Sequence, residues 1–368
     1  MKIKWVLPGH SCDGMIDEVV LKTPLPADRN YEDAPATYGD YVGVMEALFG
    51  KGAGFLERLL QKSGHSDAEV THLSISILKH GHFYHPAKMV VSLSSGKDLC
   101  FVINLAVTEK AVACIKNEFQ LFDMLCQRSE ALPEMYLLEE VSSGGHHLAV
   151  MVGQWFEGYW EFHQTRQTGR GEVVVWAEPH HVFLTESKAL NIYKKSAEIL
   201  TRLYNPKTFE AVQPWHHAAG DFVLSLDRDD LDIKLITVRQ YTAIADVDEK
   251  DPEDYLEAAL LFFMLLSFRN RLDRCDGIGE VAWIEGAVVQ ATLNGFLKGL
   301  KGRKDVGPFE GEFGEWVRLY FKKQDTEDLM GCAAFVVNSL NPEASEMETL
   351  KKHFSLHVEE VAAEIATL

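Results

Sequence analysis

The sequence predicts an α+β fold built as two lobes, a small lobe around an antiparallel sheet and a larger helical lobe. Within residues 74–105, apolar and polar residues alternate as they do in strands, and residues 94–98 form a polar turn between two of these strands. Past Val238 the apolar residues recur at helical spacing. A chain of 368 residues is long enough for two domains or one two-lobed domain, at roughly 150 residues per domain.

The predicted small lobe is preceded by a separate segment. Residues 1–74 form an N-terminal extension, and residues 75–160 form the lobe itself. A hairpin is predicted at 89–105 and a long helix at 108–126, because the helix segment repeats apolar residues every three or four positions. A second hairpin around residues 142–145 leads into an apolar linker.

The helical lobe is predicted to span residues 161–340. It begins with an amphipathic helix at 187–204, followed by a polar loop and a strand at 233–238. Its most apolar helix starts at Asp251 and Pro252, since an acid at the N-cap and a proline in the first turn are typical helix starts.

A further helix is predicted in residues 341–368. Its apolar residues repeat at three- and four-residue steps, at Leu350, Phe354, Val358, Val361 and Ile365. Such a stripe favours docking on the chain's own domain, and homo-oligomer contact through this helix is the alternative.

The charge balance narrows the class of partner. With 36 lysines and arginines against 55 aspartates and glutamates, the formal net charge is −19, which opposes binding to nucleic acid or to an anionic membrane. The most apolar run, residues 256–268, is shorter than the roughly 20 residues that a membrane-spanning helix needs. The N-terminus has no signal-peptide pattern, and the cysteines form no C-x-x-C pair. We therefore expect a soluble, cytoplasmic protein.

Several stretches carry the strongest functional signal through their order and spacing. They read GHFYHPAKMVVSLSSGKDLCFVINL at 81–105, NEFQL at 117–121, MVGQWFEG at 151–158, HAAGDFVL at 217–224 and DP at 251–252. Across about residues 75–300 this series resembles the aminoglycoside phosphotransferase and choline kinase branch of the protein kinase-like fold. The four longer stretches are similar, in turn, to that family's phosphate-loop hairpin, acid-bearing helix, hinge and catalytic loop.

The resemblance implies a two-lobed, kinase-like fold and phosphoryl transfer from ATP with magnesium or manganese. It assigns five roles by position, and the chemistry of three of them is missing. The position of the strand lysine carries Asn104, that of the catalytic aspartate carries His216, and the second metal-binding aspartate falls near Thr237. The helix acid is present as Glu118, and Asp221 stands where the family has a metal-binding asparagine.

Three residues are candidates for rebuilding the missing chemistry. Lys88 lies on the strand before the one that carries Asn104, and these two residues and Glu118 are the candidates for binding nucleotide. The alternative is that Lys88 is an exposed lysine on an edge strand. His216 is a candidate general base, or else a histidine packed beside a tryptophan. Asp221 is a candidate ligand for magnesium or manganese, or else a turn acid bonded to its own backbone.

These departures leave more than one class of function open. We favour a pseudokinase-type binding or regulatory module, because a fold alone does not carry activity. The alternative is an atypical ATP-dependent phosphotransferase that uses His216 and Asp221. Either class would take a small-molecule or protein ligand in the cleft between the lobes, and without nucleotide use no cofactor is expected. A weaker alternative is a metal-dependent enzyme built on His80, His82 and His85.

Overall fold

The structure is a computed structural model. It describes residues 3–7, 10–12, 16–25, 36–50, 54–77, 81, 83–166, 172–213, 218–227, 231–246 and 251–368. These residues form an α+β protein that divides into two compact units. The first unit comprises Met1–Met124 and Pro133–Glu157, and the second comprises Leu125–Leu132 and Gly158–Leu368.

The first unit is a sheet with helices packed on its two faces. Its strands in the described part of the chain are β1 (Ile3–Leu7), β2 (His10–Cys12), β3 (Val70–Ile77), β4 (His85–Leu93), β5 (Asp98–Ala106), β6 (Met135–Ser143) and β7 (His146–Gln154). Its helices there are α1 (Glu18–Leu21), α2 (Tyr38–Phe49), α3 (Phe55–Lys62) and α4 (Glu109–Leu125). Residues 1–74, predicted as an extension, thus supply strands and helices to the same unit.

The sheet differs from the expected antiparallel one at one pair of strands. Its order is β2-β1-β3-β4-β5-β7-β6, and every neighbouring pair is antiparallel except β1 and β3. The antiparallel sheet predicted for residues 75–160 is present in β4, β5, β7 and β6, and the parallel pair arises because β1, from residues 1–74, joins the same sheet. The chain passes through α1, α2 and α3 between β1 and β3, and such a crossover returns the chain in the same direction.

The hairpin predicted at residues 89–105 is confirmed as β4 and β5. Buried and partly exposed residues alternate along both strands, so each has one face in a core. One sheet face packs against α2 and α3, and the opposite face packs against α4 through Ala106, Ala149 and Met151. The second predicted hairpin is present as β6 and β7, and residues 151–154 of the hinge-like stretch belong to β7.

The second unit combines short strands with longer helices. Its strands in the described residues are β8 (Tyr159–Trp160), β9 (Phe162–Thr165), β10 (Glu172–Val175), β11 (Val182–Phe183), β12 (Glu210–Gln213), β13 (Phe222–Ser225), β14 (Asp232–Leu235), β15 (Gln240–Ala243), β16 (Leu272–Arg274), β17 (Val281–Trp283), β18 (Lys304–Val306) and β19 (Phe309–Glu312). Its helices there are α5 (Glu186–Leu203), α6 (Ala218–Asp221), α7 (Pro252–Arg269), α8 (Val288–Gly299), α9 (Phe313–Phe321), α10 (Thr326–Ser339) and α11 (Met347–Ala366).

Helix α7 is largely buried in the second unit and begins where its sequence predicts. The Asp254 carboxylate accepts a hydrogen bond of 2.6 Å from the backbone N–H of Asp251, and Pro252 occupies the first turn. Its Phe262 is 1% exposed and stacks on Tyr204 with ring centroids 4.5 Å apart. Neither α7 nor any other helix in the described part of the chain is long and apolar enough to cross a membrane.

The apolar stripe of α11 packs inside its own unit. Leu350, Val358 and Val361 are fully buried, and Ile365 is almost so. The helix packs against α8 and α10 through this face. Docking on the chain's own domain is therefore confirmed for the stripe, and its buried side chains do not face a second copy of the chain.

A buried histidine lies where α11 meets α7. His357 is 1% exposed, its Nε2 lies 2.8 Å from the Ser267 hydroxyl, and its ring packs 4.2 Å from that of Phe268. Burial lowers the pKa of His357 well below its usual value, and the charge of Arg271 lowers it further. His357 is therefore neutral in the folded protein at neutral pH.

We expect this histidine to make the fold sensitive to mild acid. In the unfolded chain His357 binds a proton below about pH 6.5, whereas the folded state resists protonation, so stability falls by up to about 1.4 kcal/mol per pH unit below that value. In His357→Gln the drop in unfolding midpoint between neutral and mildly acidic buffer should be smaller than in the wild type. His72→Gln, which changes an exposed histidine, is the control. An unchanged pH dependence in His357→Gln would contradict this assignment.

Candidate functional site

Lys88 lies on an inner strand of the first unit, with an acidic partner. Strand β4 is paired with β3 on one side and β5 on the other, so the edge-strand alternative for Lys88 is wrong. Its Nζ lies 3.1 and 3.2 Å from the two carboxylate oxygens of Glu157. The same ammonium lies 5.1 Å from the ring centroid of Trp155. Its charge is thus compensated within the first unit.

The pair with Lys88 changes the chemistry of Glu157. Burial by itself raises the pKa of this carboxyl, but hydrogen bonds from Lys88 and Cys100 outweigh burial and lower it. Burial and the bond to Glu157 raise the pKa of the Cys100 thiol to about 11. Cys100 is therefore a protonated thiol rather than a nucleophilic thiolate at neutral pH.

Asn104 lies on the same sheet face as Lys88. In the β4–β5 register Lys88 is opposite Val102, and Asn104, two residues further along β5, is opposite Pro86. Asn104 is also opposite Met151 on β7, which packs in one apolar cluster with α4. The position that the resemblance gives to a lysine thus faces the helix carrying Glu118, but it holds an uncharged amide.

Glu118 is buried within the first unit. It is 2% exposed, and it lies next to Tyr84. Burial raises the pKa of the Tyr84 phenol, and the charge of Glu118 and contact with Cys114 raise it further. Lys88 pairs with Glu157 rather than with Glu118, so the lysine–glutamate pair on which active kinases depend is not formed by these two residues.

A tight turn within the four-residue α6, whose middle residues do not have helical backbone angles, positions Asp221 in the second unit. Ala219 has φ −66° and ψ 137°, and Gly220 has φ 83° and ψ −26°, which are the angles of a type II turn. A glycine fits the second of these positions because side chains clash at positive φ. The turn directs Asp221 to the start of β13, where it is 4% exposed.

The Asp221 carboxylate is paired with an arginine. Arg239 Nη1 lies 3.0 Å from Asp221 Oδ1, and the two side chains are 24% and 6% exposed. The backbone also joins the two segments, because the N–H of Ile236 donates to the Asp221 carbonyl at 2.9 Å. Strands β13 and β14 form a hairpin that returns the chain past Asp221, so the residues after β14 lie beside this acid.

The described residues around Asp221 do not fit a magnesium or manganese ion. Such ions take several oxygen ligands, usually with more than one carboxylate or phosphate, and here the carboxylate already faces a guanidinium cation. In the part of the chain that the structure describes, no three histidine, cysteine, aspartate or glutamate side chains come together as a metal site. His216, the candidate general base, lies outside the described residues.

The histidine-rich alternative rests on residues that fall mostly outside the described chain. His80 and His82 are not among the described residues. His85 is 3% exposed at the start of β4, where its backbone carbonyl accepts a hydrogen bond of 3.2 Å from the Tyr41 hydroxyl. His85 is therefore buried in the first unit and is not a solvent-facing metal ligand.

Two of the charged partners have different sequence signals. Arg239 follows Thr237 by two residues, so a cation stands close to the position where the resemblance expects a metal-binding acid. A cation near a position where an acid is expected indicates that the residue pairs with an acid, which here is Asp221. Glu157 is 69 residues from Lys88, and no local pattern connects them.

No model of a known protein family matches the chain, and a comparison with curated proteins finds no match either. The fold and these contacts define an α+β protein whose acid at the start of β13 is neutralised by an arginine of the same unit.

Proposed function

We propose that this chain is a pseudokinase-type binding or regulatory module related to the aminoglycoside phosphotransferase and choline kinase branch. The observation that carries the proposal is the ion pair between Arg239 and Asp221. In active relatives the position of Asp221 serves a metal ion, whereas here a guanidinium supplies the compensating charge. Arginine stays protonated at all physiological pH values, so this pair does not release the carboxylate by titration.

The order of elements in the first unit supports the kinase-like part of the proposal. Kinases carry their phosphate-binding lysine on the third strand and its glutamate partner on the following helix. Here β3, β4 and β5 are antiparallel neighbours, Asn104 is on the third of them, and Glu118 is on α4, which follows. Strands β6 and β7 then complete the sheet beside β5.

The order of elements in the second unit also matches the order that the resemblance implies. A long helix, α5, precedes the turn at Asp221, the β13–β14 hairpin follows it, and α7 begins at the Asp251-Pro252 pair. This is the order in which the resemblance places the catalytic loop, the metal-binding segment and the next helix. The series supports a common scaffold, and the side chains on it support a loss of catalysis.

The chemistry of phosphoryl transfer depends on charges that these positions lack. The reaction needs metal ions to bridge the phosphates, a lysine on them and an acid to orient the acceptor hydroxyl. Asn104 brings no positive charge, Lys88 is paired with Glu157, and Asp221 is paired with Arg239. A scaffold with these pairs is suited to binding a small molecule or a protein without transferring phosphate.

We expect the purified chain to show no turnover in a coupled ADP-release assay with ATP, magnesium or manganese, and an aminoglycoside or choline as acceptor. Loss of the lysine and the catalytic acid removes effects that are each worth roughly 100-fold or more in comparable sites. An active phosphotransferase of this branch, assayed in parallel, serves as the positive control. Turnover that disappears in both His216→Ala and Asp221→Ala would instead establish the atypical phosphotransferase.

A further inference from the structure

A basic groove lies on the second unit, and none of the candidate kinase positions is among the residues that line it. It has a volume of about 750 Å³ and runs between residues 126–131, α5 and β14. Five cationic side chains line it: Arg128, Lys195, Arg202, Lys234 and Lys298. We call it the α5 groove.

The charge of the α5 groove is opposite to that of the chain. Its lining holds those five cations and the three acids Glu130, Glu198 and Asp232, whereas the whole chain holds 36 cations and 55 acids. In an acidic protein, a local excess of cations in a concave site is a feature that attracts and binds anions. The volume lies within the range of about 300–1,000 Å³ typical of small-molecule sites.

One buried acid fixes two of the cations side by side. Glu198 is 7% exposed, Arg202 Nη2 lies 2.7 Å from its Oε1, and Lys298 Nζ lies 2.8 Å from its Oε2. The Arg202 and Lys298 side chains are 52% and 49% exposed. A guanidinium has five N–H donors and an ammonium has three, so both cations have donors left for a ligand.

A third cation is held in place by a tyrosine. Arg128 Nη1 donates to the Tyr241 hydroxyl at 2.9 Å, and that hydroxyl donates to the Leu203 carbonyl at 2.6 Å. Burial lowers the pKa of the neighbouring Arg303 guanidinium, and the charges of Arg128 and Arg202 lower it further. Arg128 and Arg202 thus place positive charge near Arg303, and a bound anion compensates such like charges.

We propose that the α5 groove binds a small organic phosphate, with Arg128, Arg202 and Lys298 on the phosphate oxygens and the acids Glu130 and Asp232 accepting hydrogen bonds from hydroxyl groups of the same molecule. Arginine and lysine are the residues that bind phosphate best, through charge-assisted hydrogen bonds. The acids between the cations repel a long polyanion such as nucleic acid, but they suit a compact ligand that carries hydroxyls beside its phosphate. The site uses none of the residues that carry the proposed function.

The test is calorimetric titration of the full chain, without ATP, using fructose bisphosphate, glycerol phosphate and inorganic pyrophosphate as probes. Sodium sulfate at equal ionic strength measures general anion binding. We expect at least one organic phosphate to bind more tightly than sulfate, and Arg202→Gln and Lys298→Gln each to weaken it by about tenfold or more. Each variant leaves Glu198 one cationic partner, so we expect both to retain a folded second unit.

The control is Lys97→Gln, which removes one positive charge from the exposed turn between β4 and β5 of the first unit. It should bind the probe as the wild type does. The proposal is overturned if no organic phosphate binds more tightly than sulfate, or if Lys97→Gln weakens binding as much as Arg202→Gln. Tighter binding of a phosphopeptide, single-stranded RNA or anionic vesicles than of every small probe, lost in Arg202→Gln, would also overturn it in favour of a macromolecular partner.

Discussion

Replacing Arg239 by glutamine is expected to destabilise the second unit by about 3 kcal/mol, because it leaves a buried carboxylate without its cation. The Asp221 side chain is 6% exposed and Arg239 is 24% exposed, so water compensates little of the lost charge. Breaking such a pair on one side costs far more than the net value of the pair itself. Urea denaturation of the wild type and Arg239→Gln, followed by circular dichroism, measures the difference in free energy of unfolding.

The double variant Asp221→Asn with Arg239→Gln distinguishes the loss of charge compensation from other effects of changing Arg239. Two neutral amides need no charge compensation, so the double variant should recover most of the stability lost in Arg239→Gln. Arg58→Gln provides the surface comparison, since its pair with Glu139 is 52% and 35% exposed and should contribute no more than about 1 kcal/mol. If Arg239→Gln costs as little as Arg58→Gln, the pair does not compensate a buried charge.

Replacing Arg271 by methionine is the second substitution with a large expected effect, again about 3 kcal/mol. Its side chain is 1% exposed and forms an ion pair with Glu360 of α11. Its guanidinium also donates to the backbone carbonyls of Ile284 at 2.8 Å and Gly286 at 3.3 Å, and it lies 5.5 Å from the ring centroid of Trp283. Methionine keeps the length of the side chain but leaves two carbonyls without this donor. Thermal and urea unfolding measure the loss.

Arg166→Met is the matched control for Arg271→Met in the same unit. Arg166 is also paired with a glutamate, Glu280, but these side chains are 60% and 66% exposed. Solvent screens such a pair, so the control should change stability by less than about 1 kcal/mol. Equal losses in the two variants would mean that Arg271 does not connect α11 to the rest of its unit.

Much of the fold is predictable where the signal is local. The alternation along β4 and β5, the polar turn between them and the Asp251-Pro252 start of α7 are all patterns within a few residues. The parallel pairing of β1 with β3 has no such pattern, because it joins segments about 70 residues apart through long-range packing. An element's type can therefore be predicted from the sequence more readily than its neighbour in a sheet.

In the candidate site, too, the positions of residues along the chain were predictable and their long-range contacts were not. The order of motifs predicts that Asn104 follows Lys88 by one strand and that Glu118 is on the next helix, and the structure places them so. The charged partner of Lys88 was not predictable from the sequence. Glu157 follows β7, and only the pairing of β4, β5 and β7 in one sheet brings it close to Lys88. The buried state of Glu118 also depends on how α4 packs, which no local pattern encodes.

The measurement that tests the central claim most directly is the effect of divalent cations on the thermal unfolding of the wild-type chain with saturating ATP. A ligand that binds only the folded state raises the unfolding midpoint, and a metal that joins the complex raises it further. Because Arg239 holds the Asp221 carboxylate, we predict that the midpoint measured with ATP is the same in magnesium, in manganese and in a chelator. An ATP shift that needs magnesium or manganese and is lost in Asp221→Asn would contradict the account.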